Sequence, residues 1–231
     1  MLVPPEKRDS RQMRELFGVV APRYDLITRL FSYGMDRRWK RRGIERAALP
    51  ERARVLDLAC GTGDFSALVT EHRPQSIAVA ADLTLGMLHR ARSRGAAAVV
   101  CADAMSLPFP DRAFDCVFVG YGLRNFPRLE AAIEEIRRVT RPGGLLVSLD
   151  FFLPRNGLLR ALYLACLFLQ GAWWGLVLHG RPRIYTYIPD SLRSFVSIDD
   201  LSSLLGRAGY RLLRRQAFLF GGIGLHWAER S

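Results

Sequence analysis

In the stretch VLDLACGTGD at residues 55–64, an apolar run ends in an acid that is followed by a glycine-rich turn. From residue 53 to residue 152, short β-rich runs alternate with amphipathic helical runs. Such alternation predicts one sheet of parallel strands with helices on both faces. The predicted strands lie at 53–58, 76–81, 96–101, 114–120 and 144–152, and the predicted helices lie at 64–72, 85–94 and 128–140.

The carboxyl-terminal part of the chain predicts one more helix and two more strands. Ser197 and Asp200 have the spacing of a capping box at the start of a helix over 199–208. Strands at 210–219 and 223–228 follow, and the two glycines between them predict a tight antiparallel connection at the sheet edge. The fold class is therefore predicted as α/β and Rossmann-like, with a seven-stranded, mostly parallel sheet and an antiparallel edge hairpin.

The glycine-rich turn distinguishes between two nucleotide ligands. A nicotinamide dinucleotide site uses G-x-G-x-x-G, but Ser66 stands at the third glycine position. Instead, Asp57 ends the strand ahead of the close pair Gly61 and Gly63. A carboxylate suits S-adenosylmethionine, which carries an ammonium and a sulfonium but no phosphate. The turn therefore favours the fold of a class I S-adenosylmethionine-dependent methyltransferase, and a turn without any ligand is the alternative.

Two further acids follow the next two predicted strands. Asp82 lies 19 residues after Gly63, where a carboxylate can accept hydrogen bonds from both ribose hydroxyls. Asp103, followed by Ala104, can receive the adenine amino group. Alone, each acid is typical of a helix cap or a turn. Acids at the ends of three successive strands together predict a cofactor site.

Several motifs carry a resemblance to a known family. GLRN at 122–125, RYD at 23–25, DLTLGML at 82–88 and RVTRPGGLL at 138–146 accompany the glycine-rich stretch. Together they resemble the ubiquinone/menaquinone biosynthesis C-methyltransferase family over nearly the whole chain. The resemblance implies C-methylation of a prenylated quinol, foremost demethylmenaquinol to menaquinol, with S-adenosylmethionine as methyl donor. It also implies contacts of that donor with Thr62, Asp82, Asp103 and Ala104.

The predicted cofactor-binding set follows from the strand ends, the turn and the resemblance, and it includes no metal ligand: Asp57, Gly61, Thr62, Gly63, Asp82, Asp103, Ala104 and Gly120. Gly120 stands where the family commonly has a serine, so we expect one side-chain contact to the donor to be missing. The segment 157–189 differs most from the family pattern. This segment is expected to shape the quinol pocket.

The implied reaction needs groups that favour a phenolate on the quinol ring. We predict that Arg124 stabilises the developing oxyanion and that Asn125 hydrogen-bonds the ring oxygens. Tyr24, in the amino-terminal helices, is predicted to bond the substrate or to pack in the core. An arginine is a poor base, so a bound water would carry the proton away. His226 and His179 are weaker candidates for the base, since a buried structural histidine is more frequent in such positions.

The composition fits a soluble globular protein with an uneven charge. The net charge of +12 comes from the two ends, because residues 51–154 hold 12 basic and 12 acidic side chains. No CxxC pair occurs, and the first twelve residues lack the apolar core of a secretory signal. We therefore expect a cytoplasmic protein, with peripheral attachment to the inner face of a membrane as a further expectation. Solubility alone is the alternative explanation of the basic charge.

An apolar stretch at 161–178 is interrupted by Gln170, Gly171 and Gly175. Its 18 residues fall short of the roughly 20 that a membrane-spanning helix needs, so we predict no spanning segment. We expect one or two helices that dip into the membrane interface or line a channel for the prenyl tail, helped by the basic run at 37–42. Burial in the core or in a homodimer interface is the alternative.

One domain is predicted over residues 1–231, with four parts: a helical cap at 1–50, a cofactor-binding core at 51–154, an apolar insert at 155–197 and a closing helix and hairpin at 198–231. Two other functions stay open. One is methylation of a ubiquinone precursor or of an unrelated small molecule or lipid. The other is nucleic-acid binding through the basic ends, which lacks a stacking motif and is not expected.

Overall fold

A computed structural model describes residues 9–231, which form a three-layer α/β fold around one sheet. Seven strands lie in the order β3-β2-β1-β4-β5-β7-β6. The first five are parallel, and β7 is antiparallel to both β5 and β6. The predicted fold class is confirmed. The strands are β1 (Arg54–Leu58), β2 (Ile77–Asp82), β3 (Ala98–Cys101), β4 (Phe114–Gly120), β5 (Thr140–Phe151), β6 (Tyr210–Phe218) and β7 (Ile223–Arg230).

The helices cover both faces of the sheet, and the apolar core lies in two layers between them and the strands. One layer is built from the amino-terminal helices, α4, α7 and α8, and the other is built from α6 and α9. The helices are α1 (Ser10–Val20), α2 (Tyr24–Phe31), α3 (Asp36–Glu45), α4 (Asp64–His72), α5 (Leu85–Ser93), α6 (Leu129–Val139), α7 (Gly157–His179), α8 (Tyr187–Ser194) and α9 (Ile198–Arg207).

The central part of the chain agrees with the sequence prediction within a few residues, except at the start of β5. That strand begins at Thr140, four residues before the predicted start. Thr140 pairs with Phe114, but the next paired residue on β5 is Leu145, opposite Cys116. The residues between them, which include Gly143 in a left-handed conformation, therefore form a bulge within the strand rather than a turn ahead of it.

The amino-terminal helices lie against the same face of the sheet as α4. The indole Nε1 of Trp227 in β7 donates to the carbonyl oxygen of Gly43 in α3 at 2.9 Å, which fixes α3 on the sheet. Trp39 and Lys40 of α3 are buried, and Arg37 and Arg41 pair with Glu71 of α4. Arg38 and Arg42 of the same run are exposed, and the expectation that the run 37–42 attracts a membrane stays a prediction. Residues 1–8, which hold most of the polar opening segment, lie outside the described residues.

The apolar stretch forms a single helix, α7, of 23 residues. Within residues 9–231 it is the one helix that is long and apolar enough to cross a membrane, judged by length and composition. The helix extends beyond the apolar run at both ends, so the shortness of that run does not exclude a spanning segment. The expectation of no spanning segment stays a prediction. The alternative of burial in the core is wrong, since only 17% of the apolar 18-residue window of α7 is buried.

The start of α9 provides a test of local stability. The side chain of Ser197 accepts from the backbone N–H of Asp200, and the Asp200 carboxylate accepts from the backbone N–H of Ser197, as the capping-box prediction requires. Ser197→Ala should lower the free energy of unfolding by about 1 kcal/mol, since it leaves a first-turn N–H without its cap. Urea unfolding measures this loss. Ser203→Ala, an exposed position inside the same helix, is the control and should cause no loss; equal losses would contradict the capping role.

Candidate functional site

A cavity opens at the carboxyl edge of the parallel strands. The loops that follow β1, β2, β3 and β4 line it, and α1 covers it from one side. Most of the predicted site residues meet in its wall: Tyr24, Gly61, Asp82, Asp103, Ala104, Gly120 and Asn125.

Asp82 joins the first two loops of the cavity. Its Oδ2 accepts from the backbone N–H of Gly61 at 2.9 Å, and its Oδ1 accepts from the backbone N–H of Thr84 at 2.8 Å. Burial raises the pKa of this carboxyl, while the two N–H donors lower it. A carboxylate has about four acceptor positions, so these two bonds leave room for ligand hydroxyl groups.

Asp57 stabilises the glycine-rich turn between β1 and α4 by binding the start of α4. Its Oδ2 accepts from both the backbone N–H and the hydroxyl of Ser66, each at 2.8 Å, which ties the end of β1 to the first turn of α4. Burial raises the pKa of Asp57 to about 7. Its predicted contact with the methyl donor stays a prediction, because Asp57 lies beside the cavity wall rather than in it. The structure adds a second role for this residue, which is to hold the loop in shape.

The loop itself turns through left-handed backbone conformations. Gly61 and Gly63 have φ values of 54° and 83°. A side chain at Gly61 would meet the ring of Tyr24, whose Cε1 lies 3.1 Å from the position of a Cβ there. Ala59 and Tyr121, which line the cavity at the ends of β1 and β4, also have positive φ values, of 52° and 59°. Such strain in residues other than glycine is concentrated at functional sites.

Thr62 belongs to a network of charged side chains that attaches the amino-terminal helices to the glycine-rich turn. Its hydroxyl donates to Asp25 of α2, and Arg94 donates to the same hydroxyl at 2.7 Å. Arg94 also pairs with Asp64, which in turn pairs with the buried Lys40 of α3. Thr62 and Gly63 lie beside the cavity rather than in its wall, so their predicted contact with the donor stays a prediction.

Asp103 is covered by α1. Its Oδ2 accepts from the hydroxyl of Ser10 at 2.7 Å, and its Oδ1 accepts from the backbone N–H of Met105 at 3.0 Å. Met13 and Phe17 follow Ser10 on the same side of α1 and also line the cavity. These three residues were missed from the sequence, although their spacing of three and four was a usable signal of one helix face.

Packing explains why position 120 is a glycine in this chain. A Cβ at this position would lie 2.9 Å from the ring of Phe65, which stacks on Phe118 with ring centroids 4.8 Å apart. The ring of Phe65 therefore takes the space that a larger residue at position 120 would need. The expected lack of a side-chain contact between this position and the methyl donor stays a prediction.

Arg124 and Asp150 form a buried ion pair beside the cavity. Their side chains are 4% and 1% exposed, and the Nη1 of Arg124 donates to Asp150 and, at 3.0 Å, to the carbonyl oxygen of Tyr121. Burial alone would lower the pKa of Arg124, but the carboxylate of Asp150 raises it above its usual value. Arg124 is therefore a cation whose charge is balanced within the fold. Asp150 was missed from the sequence, because nothing in the strand pattern distinguishes it from a solvent-facing acid.

Asn125 and Tyr24 complete the wall next to this pair. The side-chain amide of Asn125 donates to the carbonyl oxygen of Tyr121 at 3.0 Å, so this one carbonyl holds both Asn125 and Arg124. Burial raises the pKa of Tyr24 and of Tyr121, which keeps both phenols protonated. The ammonium of Lys40 lies 5.5 Å from the ring centroid of Tyr121. The neutral donors here are the phenols of Tyr24 and Tyr121 and the amide of Asn125. They lie between two buried cations, Lys40 and Arg124.

The two histidines considered as general bases, His226 and His179, lie outside the cavity wall. His226 is fully buried, and its Nε2 is 3.3 Å from the carbonyl oxygen of Ile198. Burial lowers the pKa of His226 to about 4. His179 ends α7, where its Nε2 is 2.8 Å from the hydroxyl of Tyr185. Both arrangements are those of structural histidines.

The chain matches the model of the ubiE/COQ5 methyltransferase family over residues 6–230. The chain belongs to this family. It is 37% identical over 220 residues to a "Demethylmenaquinone methyltransferase" of Thermus thermophilus, covering 93% of this chain and 100% of that one. It is also 37% identical to a "Ubiquinone/menaquinone biosynthesis C-methyltransferase UbiE" of Pseudomonas savastanoi pv. phaseolicola, covering 96% of this chain and 90% of that one. The resemblance stated from the motifs is confirmed.

Solved structures support the fold of the family member. A putative methyltransferase of Bacillus halodurans superposes with a TM-score of 0.57 and 25% identity over 77% of this chain and 71% of that one. An S-adenosylmethionine-dependent methyltransferase of Thermotoga maritima superposes with a TM-score of 0.68 and 16% identity over 94% of this chain and 99% of that one. The protein is a methyltransferase with the fold that S-adenosylmethionine-dependent enzymes use.

The buried ion pair predicts strong coupling between its members. Arg124→Met leaves the Asp150 carboxylate buried without its partner and should lower the free energy of unfolding by about 3–5 kcal/mol. The double variant Arg124→Met with Asp150→Leu should lose much less than the sum of the two single variants. Urea unfolding of all four proteins measures the coupling. Arg11→Ala, which breaks the exposed pair with Glu15, is the control and should cost less than about 1 kcal/mol; additive losses at 124 and 150 would contradict the pairing.

The buried His226 predicts an acid-dependent loss of stability. Its pKa is about 4 in the folded protein and 6.5 in an exposed side chain, so the unfolded state binds the proton more strongly. Stability is therefore fully present above pH 6.5 and is lost as the pH falls toward 4, by about 3 kcal/mol. Unfolding experiments across this range should show that His226→Gln lacks this part of the pH dependence. His89→Gln, at an exposed position, should retain it, and an unchanged profile for His226→Gln would count against the assignment.

Proposed function

We propose that this family member transfers the methyl group of S-adenosylmethionine to a ring carbon of a prenylated quinol, and that the acceptor is demethylmenaquinol. One observation carries the proposal: a single cavity brings the acids Asp82 and Asp103 together with Asn125 and Tyr24. Acids suit the donor, and phenol and amide donors suit a ring oxygen. The names of the relatives from Thermus thermophilus and Deinococcus radiodurans support the choice of demethylmenaquinol.

The donor site in this proposal is built from the strand tips. Asp82 accepts the ribose hydroxyls with the acceptor positions that its two backbone bonds leave unused. Asp103 and Ala104 face the adenine, and Ser10 closes over Asp103 from α1. Gly61, Thr62 and Gly63 shape the loop beside the methionine end, with Asp57 as its support and Gly120 opposite. Bound there, S-adenosylmethionine supplies an electrophilic methyl group on a sulfonium.

The chain's own residues prepare the acceptor ring. A ring carbon attacks in line when a ring hydroxyl has lost its proton; the new carbon–carbon bond forms as the sulfur–methyl bond breaks, and loss of the ring hydrogen as a proton restores aromaticity. Arg124 stays protonated beside Asp150, so it stabilises a phenolate oxygen and does not act as the base. Asn125 and the protonated Tyr24 donate to the ring oxygens. Water accepts the hydroxyl proton.

We propose that the four parts of the chain divide this work. The cap at 1–50 closes the donor site, and the core at 51–154 binds the donor. The insert at 155–197 meets the prenyl tail at a membrane surface on the cytoplasmic side, and the closing elements at 198–231 complete the sheet.

A methyl-transfer assay tests the acceptor. Purified protein with methyl-labelled S-adenosylmethionine should label a short-chain demethylmenaquinol, and label it faster than a demethoxy-benzoquinol analogue of the ubiquinone precursor. Asn125→Ala should lower kcat at least tenfold, because it removes a donor to the phenolate, while binding of the methyl donor is retained. Ser203→Ala is the control and should match the wild type.

The assay has clear contrary outcomes. Label in neither quinol would refute C-methylation of a prenylated quinol, and faster labelling of the benzoquinol would replace demethylmenaquinol by the ubiquinone precursor. An Asn125→Ala variant with the kcat of the wild type would remove Asn125 from the catalytic residues.

A further inference from the structure

The outward face of α7 is a long apolar surface. At 1.5 Å per residue, the 23 residues of this helix extend about 34 Å. Soluble monomers rarely expose a continuous apolar patch of this extent without a function for it. Its side chains, at helical spacing along one side, are more than half exposed at several positions: Leu158, Leu162, Leu169, Trp173, Leu176 and Val177.

Two strained aromatic residues flank this face. Phe220 is 85% exposed and Tyr33 is 57% exposed, and both hold positive φ values, of 55° and 51°. The Tyr33 hydroxyl accepts from the Gln170 amide of α7 at 3.1 Å. The loop that carries Phe220 is tied to α7 by the Tyr163 hydroxyl, which donates to the carbonyl oxygen of Gly222 at 2.9 Å. Backbone strain that holds bulky apolar rings in water points to a binding surface rather than to packing.

The charge around α7 has one sign. No aspartate or glutamate occurs from residue 151 to residue 189. Exposed arginines stand at both ends of the helix: Arg155 and Arg160 at its start, Arg181 and Arg183 after its end. Arg155 pairs with Asp199, whereas Arg160 donates to backbone carbonyl oxygens and so keeps its charge. An apolar face with cationic ends is complementary to a membrane with anionic headgroups.

Two glycines on the inward side of α7 let the helix pack closely against the segment that follows it. A Cβ at Gly171 would lie 3.0 Å from the carbonyl oxygen of Tyr185, and one at Gly175 would lie 2.6 Å from that of Arg181. The helix is thus in close backbone contact with the segment that follows it, and Tyr185 is buried in the core. The chain enters α7 from β5 and returns to the core directly after it, so the helix does not leave the body of the protein to span a bilayer.

We propose that α7, Tyr33 and Phe220 form a lipid-binding surface, here called the α7 surface, that lies in the plane of an anionic phospholipid membrane. The apolar side chains enter the acyl boundary, and the arginines bind headgroup phosphates. This inference rests on the proposed function, because a prenylated acceptor resides in the bilayer. A second copy of the chain fits less well. Two such surfaces face to face would bring arginine-flanked helix ends together, with no acid from 151 to 189 to neutralise them.

Vesicle flotation tests the α7 surface. The full chain should float with vesicles of phosphatidylcholine and phosphatidylglycerol at 3:1, and much less with phosphatidylcholine alone or in high salt. Leu169→Glu, in the centre of the surface, should reduce the bound fraction at least tenfold. Leu213→Glu is the matched control, because it places the same charge on a half-exposed leucine of β6, and it should bind as the wild type does. The tryptophan emission, to which the exposed Trp173 contributes, should shift to the blue with the anionic vesicles only.

The outcomes separate this inference from the proposed function. Methylation of a short-chain acceptor in solution by the wild-type protein tests the proposed function without vesicles, so its absence would overturn that function, and flotation would still test the α7 surface. Wild-type protein that fails to float, or a Leu169→Glu variant that floats like the wild type, would overturn the lipid surface. A wild-type dimer by light scattering that Leu169→Glu converts to a monomer, without vesicle binding, would assign the surface to a second copy instead.

Discussion

The two backbone hydrogen bonds that Asp82 accepts fix the tip of β1 against the tip of β2. A buried carboxylate is costly unless donors surround it, so the loop amides of Gly61 and Thr84 must face Asp82 for the fold to be stable. The same requirement shapes the loop below, where Asp57 accepts two bonds from Ser66. Asp82 and Asp57 therefore also fix the loops around the cavity at the sheet edge.

The acceptor side depends on a second fixed element, the carbonyl oxygen of Tyr121. Because it receives both Arg124 and Asn125, a single strained residue after β4 sets the position of both predicted catalytic side chains. Asp150 holds Arg124 from the other side and keeps it charged. On the donor side, the network from Asp25 through Thr62 and Arg94 attaches the cap to the glycine loop. Polar contacts thus hold the elements on both sides of the cavity in place.

The sequence predicted the parallel core well because strand and helix periods, the glycine turn and the capping box of α9 are all local signals. It failed where distant contacts decide the outcome. The bulge at the start of β5 comes from pairing with β4, and the burial of Lys40 within the basic run 37–42 comes with its partners Asp36 and Asp64. Lys40, Tyr121 and Asp150 were missed as site residues for the same reason, since their importance lies in what they contact. The acids at the strand tips were found because topology alone brings them to one edge.

We propose that carboxylates at the strand tips bind S-adenosylmethionine, a cationic methyl donor. Calorimetric titration of this donor into wild-type protein, Asp82→Ala and Asp111→Ala tests the proposal. The last variant removes an exposed acid that pairs with Arg138 outside the cavity. We expect a binding heat for the wild type and for Asp111→Ala, with the affinity lowered at least tenfold in Asp82→Ala. Absence of a binding heat in the folded wild-type protein, or equal affinities in all three proteins, would contradict it.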